Sequence, residues 1–212
     1  MRPFPIRCLL FLSMMPFAAC NQYRHLQSVP ADPLCLEKFK PVFLHATYKT
    51  SVDVVGKHIS GLLLIKMMPD SSIRFVFSNQ MGFSFFDLGF LPDNGFKVFQ
   101  IIPQMNKEAL IKTLRKDFEL ILFRNINNKK SFSLQDSSEW YHGFSQSKGV
   151  NYYVTDIHCN HLIKMQRASN RKPVMEAVMD TPINGSPDSI SIRHLNFNFS
   201  ITLKKISTLA TE

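Results

Sequence analysis

Two short clusters in this 212-residue chain place metal-binding or nucleophilic side chains together. His158-Cys159-Asn160-His161 offers zinc-type ligands. Neighbours this close in sequence rarely converge on one tetrahedral ion, so the segment reads as a polar turn between two strands and no metal is expected. Ser145-Gln146-Ser147-Lys148 fits S-x-x-K. That nucleophile-and-base pairing requires the serine to open a helix, whereas here Gly149 follows and a strand end is expected. A G-x-S-x-G elbow, a Walker loop, a G-x-G-x-x-G fingerprint and an H-E-x-x-H helix are absent. The acidic residues are isolated, so no paired-carboxylate chemistry is indicated. The chain is therefore not expected to be an enzyme, with no catalytic residue, metal or cofactor assigned.

Cys20 invites a different chemistry. Arg2 and Arg7 precede a short apolar run from Cys8 to Met15, which Pro16 breaks before Ala18-Ala19-Cys20. This is a secretory signal pattern, too short to be a membrane anchor itself. F-A-A-C at 17–20 resembles the lipobox of bacterial lipoproteins, with Phe17 in place of the usual leucine. The resemblance implies removal of residues 1–19 and lipidation of Cys20 with acyl chains such as palmitate. An ordinary signal peptide with an unmodified Cys20 is the alternative. Several acyl chains, at about 0.8 kcal/mol per buried CH₂, anchor a protein stably. Asn21 follows Cys20, and no acidic residue stands at that second position. By resemblance to Gram-negative lipoproteins this implies the outer membrane, and the periplasmic face is expected.

Residues 20–40 read as the lipidated cysteine and a proline-bearing tether, and 41–206 as the domain. With Cys8 removed and Cys20 modified, Cys35 and Cys159 remain, either as a disulfide in an oxidising compartment or as two buried thiols.

Composition narrows the partners. The chain has 25 Lys+Arg against 16 Asp+Glu, a formal charge of +9. The basic residues are scattered singly or in pairs such as Lys129-Lys130 and Lys204-Lys205, without the arms or motifs that bind nucleic acid. A diffuse positive surface suits an anionic membrane or an acidic partner. No apolar run reaches the roughly 18–20 residues of a membrane-spanning helix.

Within the domain, period-two alternation predicts strands over 43–52, 58–66, 72–79, 84–91 and 96–102. Residues 107–123 change to helical spacing, with Leu110, Ile111, Leu114, Phe118, Ile121 and Leu122 on one face and Asn106 as N-cap. After a polar loop over 125–136, strands resume at 139–147, 151–157, 161–167, 174–179 and 189–204. The apolar phase of the last one switches parity near Arg193-His194, which implies a bulge or else two separate strands. Leu62–Ile65, apolar at every position, implies cover on both sheet faces. The sum is a mainly β (α+β) domain of about ten or eleven antiparallel strands, a curled sheet or unclosed β-barrel wrapped over one amphipathic helix.

Phenylalanine is the unusual component, at 19 residues. Phe75, Phe77, Phe85, Phe86 and Phe99, with Leu114 and Phe118 on the helix, either fill the core or line a cavity for acyl chains.

V-G-K-H-I-S-G-L-L-L-I-K at 55–66, followed by D-S-S-I-R-F-V-F-S-N-Q-M-G-F-S-F-F-D-L at 70–88, resembles the LolA/LolB superfamily. It looks like the divergent LolB-like lipoproteins of Bacteroidetes-type bacteria. The resemblance implies an unclosed barrel with a helix-covered mouth, holding lipid or lipoprotein acyl chains and aiding lipoprotein localisation. It also implies an apolar residue on a protruding loop that inserts into the membrane. Met81, in the expected Asn79–Gly82 turn, is the candidate, with Met67-Met68 as a second choice. The alternative is a non-catalytic subunit of an envelope assembly, with outer-membrane proteins as partners.

Overall fold

The computed structural model describes residues 22–32, 34–124, 126, 131–169, 171–180 and 185–206. The expected signal peptide and Cys20 lie outside the described residues. Among those described are thirteen strands in one antiparallel sheet. The first six are β1 (Gln27–Val29), β2 (His45–Val54), β3 (Lys57–Met67), β4 (Ile73–Ser78), β5 (Ser84–Phe90) and β6 (Phe96–Ile101). A helix, α1 (Glu108–Ile121), follows. The remaining strands are β7 (Ser131–Gln135), β8 (Glu139–Ser145), β9 (Val150–Asp156), β10 (Leu162–Ala168), β11 (Pro173–Met179), β12 (Ser189–His194) and β13 (Phe199–Lys205).

Across the sheet the order is β1-β7-β8-β9-β10-β11-β12-β13-β2-β3-β4-β5-β6. The sheet is curled but unclosed, with β1 and β6 at its free edges. After β6 the chain crosses through α1 to reach β7 near the opposite edge. The helix can lie against the concave face because one side of it is apolar: Leu114, Phe118 and Ile121 are buried, at i, i+4 and i+7. Tyr153 of β9 donates its hydroxyl to the Leu120 carbonyl at 3.0 Å, tying the last turn of α1 to the sheet.

Strict antiparallel pairing sends the hairpin turns alternately to two rims. The β2–β3, β4–β5, β8–β9, β10–β11 and β12–β13 turns share one rim, here called the first. The β3–β4, β5–β6, β7–β8, β9–β10 and β11–β12 turns share the second.

Several sequence expectations need correction. The 189–204 segment is two separate strands, β12 and β13, the second of the two expectations, and not one bulged strand; the turn 195–198 absorbs the parity switch. Residues 131–135, expected in a polar loop, form β7, and its Phe132 and Leu134 face outward onto Tyr152 and Tyr141. The expected tether is structured: Tyr23 stacks on Tyr152 at 4.7 Å on the convex face, β1 extends the sheet edge, and Leu36, Phe39 and Phe43 enter the core. The N-cap of α1 is Lys107, not Asn106, and no side chain caps it. Leu62 and Leu64 are only half-buried on the convex side, so β3 is covered on one face alone.

Cys35 and Cys159 form a disulfide, with Cα atoms 5.9 Å apart, that staples the N-terminal segment to the β9–β10 turn. Buried His142 places Nε2 3.2 Å from Thr155 Oγ1 and 3.3 Å from Cys35 Sγ. Burial, opposed by the Asp32 charge, pushes its pKa down to about 4. The unfolded chain therefore takes up this proton near pH 6.5 while the folded chain refuses it until about pH 4. The stability that depends on a neutral ring is complete above pH 6.5 and lost as pH falls toward 4. Between pH 7 and pH 5 the loss is expected to be about 2 kcal/mol. Urea unfolding at the two pH values checks it: the His142→Gln variant should lack this increment, and an equal loss in both proteins would refute the assignment.

Candidate functional site

Between α1 and the concave face lies a cavity of about 480 Å³, within the range of small-ligand sites. Its walls come from the first-rim ends of β2, β3, β4, β5 and β13 and from the Leu110–Phe118 face of α1. Thr50, Val52, Ile59, Leu63, Phe77 and Ile201 supply sheet-side surface, and Leu110, Leu114 and Phe118 face them from the helix. The exposed wall residues Val55, Lys57 and Gln104 mark the mouth, between the β2–β3 turn and the link from β6 to α1.

The phenylalanines divide between two tasks. Phe75 is fully buried, stacks on Phe118 at 4.4 Å and meets Phe90 edge-on at 5.2 Å, so one end of the concave space is filled core. Phe118 is shared, with one part of its ring in that core and another on the cavity. Of the residues considered from sequence as cavity walls, Phe77, Phe85, Phe86, Leu114 and Phe118 line it. Phe75 and Phe99 do not. Phe99 lies half-exposed on the convex face with the Arg74 guanidinium 3.5 Å from its ring centroid, and Arg74 is paired with Asp87. Its β6 position carries it outward because successive strand residues alternate faces.

The turns around the mouth carry exposed apolar side chains. Val55, 76% exposed, is itself a wall residue. Phe197, in the β12–β13 turn, stacks nearly parallel on the wall residue Phe199 at 5.9 Å. Phe83, the last residue of the β4–β5 turn, meets wall residue Phe85 edge-on at 5.8 Å. In that turn Met81 is 93% exposed. The Asn79 carboxamide oxygen accepts from the Met81 and Phe83 backbone N–H groups, and Gly82 supplies the positive φ of 85° that closes the turn. Met81 therefore sits on the first rim, whereas Met67, which ends β3, and Met68, which opens the β3–β4 turn, lie on the second, away from the mouth.

Sequence reasoning overlooked a buried ionic cluster beside the cavity. Asp117 of α1, with no exposed surface, accepts from Arg167 Nη1 at 2.7 Å and pairs with His194 Nε2 at 2.8 Å. It joins α1 to β10 and β12. The signal was available: Asp117 lies three residues from Leu114 and four from Ile121, on the apolar stripe itself. The His158–His161 segment is the β9–β10 turn, whose backbone N–H groups at Asn160 and His161 bond Asp156. Among the described residues no cluster of three or more metal-type ligands occurs. Ser145–Lys148 is the end of β8 and the β8–β9 turn.

No family model matches the chain, and no curated protein sequence matches it. Among solved structures it is similar to a DUF1329 family protein from Desulfovibrio piger, at 7% identity and TM-score 0.40 over 77% of this chain and 84% of that one. It is also similar to a domain from Vibrio parahaemolyticus, described provisionally as an outer membrane lipoprotein-sorting protein, at 7% identity and TM-score 0.42 over 79% and 86%. Likenesses this distant say nothing about a ligand.

Proposed function

We propose that this protein is a non-catalytic, membrane-anchored carrier that holds an acyl chain of a lipid or lipoprotein in the cavity under α1. The observation that carries the reading is the continuity of apolar surface from the exposed turns into the cavity. Val55 belongs to both, and Phe197 and Phe83 each rest on a wall residue. An acyl chain leaving a bilayer at those turns stays in apolar contact until it is enclosed, which avoids exposing it to water at about 25 cal/mol per Å². Lys57 and Gln104 at the mouth suit a polar or anionic headgroup that remains outside. Anchoring through Cys20 keeps the carrier at the membrane it serves, the outer membrane on this reading.

Ile59 lines the cavity and is only partly buried, so a larger side chain there fills the space without entering the packed core. Protein purified with detergent-free extraction is expected to carry acyl lipid by mass spectrometry, and Ile59→Trp to carry at least about tenfold less with unchanged far-ultraviolet dichroism. Equal lipid content in the two proteins would remove the cavity from the account. Absence of lipid from both would favour a structural subunit of an envelope assembly.

A further inference from the structure

The five turns of the first rim differ from those of the second in charge. In the first-rim turns, residues 55–56, 79–83, 146–149, 169–172 and 195–198, there is no carboxylate. Every second-rim turn contains or directly follows an aspartate: Asp70, Asp93, Asp136, Asp156, and both Asp180 and Asp188. Turn chemistry does not demand this polarity. Asp70, Asp93 and Asp136 accept backbone N–H bonds within their turns, but Asn79 performs the same task on the first rim without charge.

Positive charge collects on the first rim beside the apolar turns. A surface groove of about 560 Å³ runs between α1 and the β8–β9 and β10–β11 turns, lined by Lys116, Lys148, Arg167 and Arg171. Arg167 is paired with Asp117, while Lys116, Lys148 and Arg171 have no ion pair among the described residues. The turn that presents Lys148 is tightly specified. Gly149 has φ of 87°, and a Cβ there would lie 2.0 Å from the Ala168 carbonyl oxygen. Gln22, the first described residue, lies at this groove, since its N–H donates to the Arg171 carbonyl at 2.8 Å. Cys20 is two residues further on, and two residues span at most about 7 Å.

We infer that this basic groove is a second membrane-contact site, docking on the phosphate groups of an anionic bilayer surface next to the lipid anchor. The inference rests on the proposed anchoring at Cys20. Acyl chains fix the protein to the membrane but leave the domain free to turn. Cations on the anchored rim, with the turn aspartates on the far one and Asp53 at the near end of β2 paired with His58, orient it so that the apolar turns and the cavity mouth on the same rim face the bilayer.

All thirteen strands, the helix and the disulfide lie between Gln22 and Ile206, so the chain from residue 20 keeps the whole described fold. That chain, with Cys20→Ala to exclude acylation, is tested by co-sedimentation with vesicles of phosphatidylcholine alone or mixed with phosphatidylglycerol. It is expected to prefer the anionic vesicles and to release them as salt rises from about 0.05 to about 0.3 M. The double variant Lys148→Gln/Arg171→Gln should partition about 30-fold less onto them, the equivalent of about 1 kcal/mol per cation. Its acyl-lipid content by mass spectrometry should be unchanged. Met81→Ser/Phe83→Ser, in contrast, should weaken binding to both vesicle types.

Unaltered partitioning of the double variant would overturn the inference. Displacement from vesicles by millimolar inorganic phosphate at constant ionic strength would also overturn it, by making the groove a small-anion site. Loss of bound acyl lipid with vesicle preference intact would defeat the carrier reading and leave the groove standing.

Discussion

Asp117→Ala is expected to destabilise the domain by about 3–5 kcal/mol and to weaken acyl-lipid retention at the same time. Both carboxylate oxygens are engaged, one by Arg167 and one by His194, and the group has no contact with water. Truncation leaves the Arg167 cation without its counter-charge and the His194 ring without its hydrogen-bond partner, in a largely dry space. The cost is dominated by those stranded groups, not by the attraction that is lost. Two comparisons separate this from a simple packing defect. Asp117→Asn keeps the volume and half of the bonding capacity, so its cost should be smaller. Asp117→Ala/Arg167→Met removes the stranded cation and should be more stable than Asp117→Ala alone, a non-additivity expected only for groups acting as one network. Urea unfolding gives each value through the midpoint at constant m. The link to the cavity is positional. Asp117 holds α1 to β10 and β12, and Leu110, Leu114 and Phe118 of the same helix form the cavity wall. A helix that loses this clasp loses the register of that wall. If Asp117→Ala unfolds at the parent's urea concentration, the clasp has no energetic role.

The same helix shows why some of this structure was legible in sequence and some was not. The apolar spacing of Leu114, Phe118 and Ile121 announces a helix with one buried face, and the alternation in β4 announces a strand with Phe75 and Phe77 inward. Those signals are periodic and local. β7 escaped because its apolar residues, Phe132 and Leu134, face the small convex cluster around Tyr152 and not the main core. Its inward position is Ser133, so the usual inside-apolar rule runs backwards there. β1 is three residues long and takes its order from β7, a partner about a hundred positions away. The division of the phenylalanines was hidden for a related reason. Phe75 and Phe77 share a face of one strand, yet only Phe77 reaches the cavity, because the curl of the whole sheet decides how far α1 stands from each. The rim polarity is different again. Its residues are plain in the sequence, but turns join a rim only once strand order and register are known.

Removing the disulfide is expected to have an effect as large as breaking the ionic clasp. Cys35 and Cys159 are 124 residues apart, and closing a loop of that length restricts the unfolded chain by about 4–5 kcal/mol in the chain-entropy model. The bond holds the strap of residues 34–43, whose Leu36, Phe39 and Phe43 are buried in the main core. Without the bond the strap is held by those three side chains and by the Val42 N–H bond to the Gly185 carbonyl, so Cys35→Ala/Cys159→Ala should unfold at much lower urea, and reduction of the parent should reproduce the shift. A second variant tests where the remaining cost lies. Cys159 has φ of 55°, the left-handed region, which costs a residue with a Cβ roughly 1–2 kcal/mol and costs glycine little. Cys35→Ala/Cys159→Gly should therefore recover about 1 kcal/mol relative to the double alanine, less whatever glycine adds to unfolded-state entropy. Equal stability of oxidised and reduced protein would show that the non-covalent contacts of the strap suffice to set its position. Because the strap leaves the cavity walls untouched, acyl-lipid content measured below the unfolding transition should be the same with and without the bond. The disulfide then governs the stability of the domain, and the Asp117 clasp governs the shape of the cavity beneath α1.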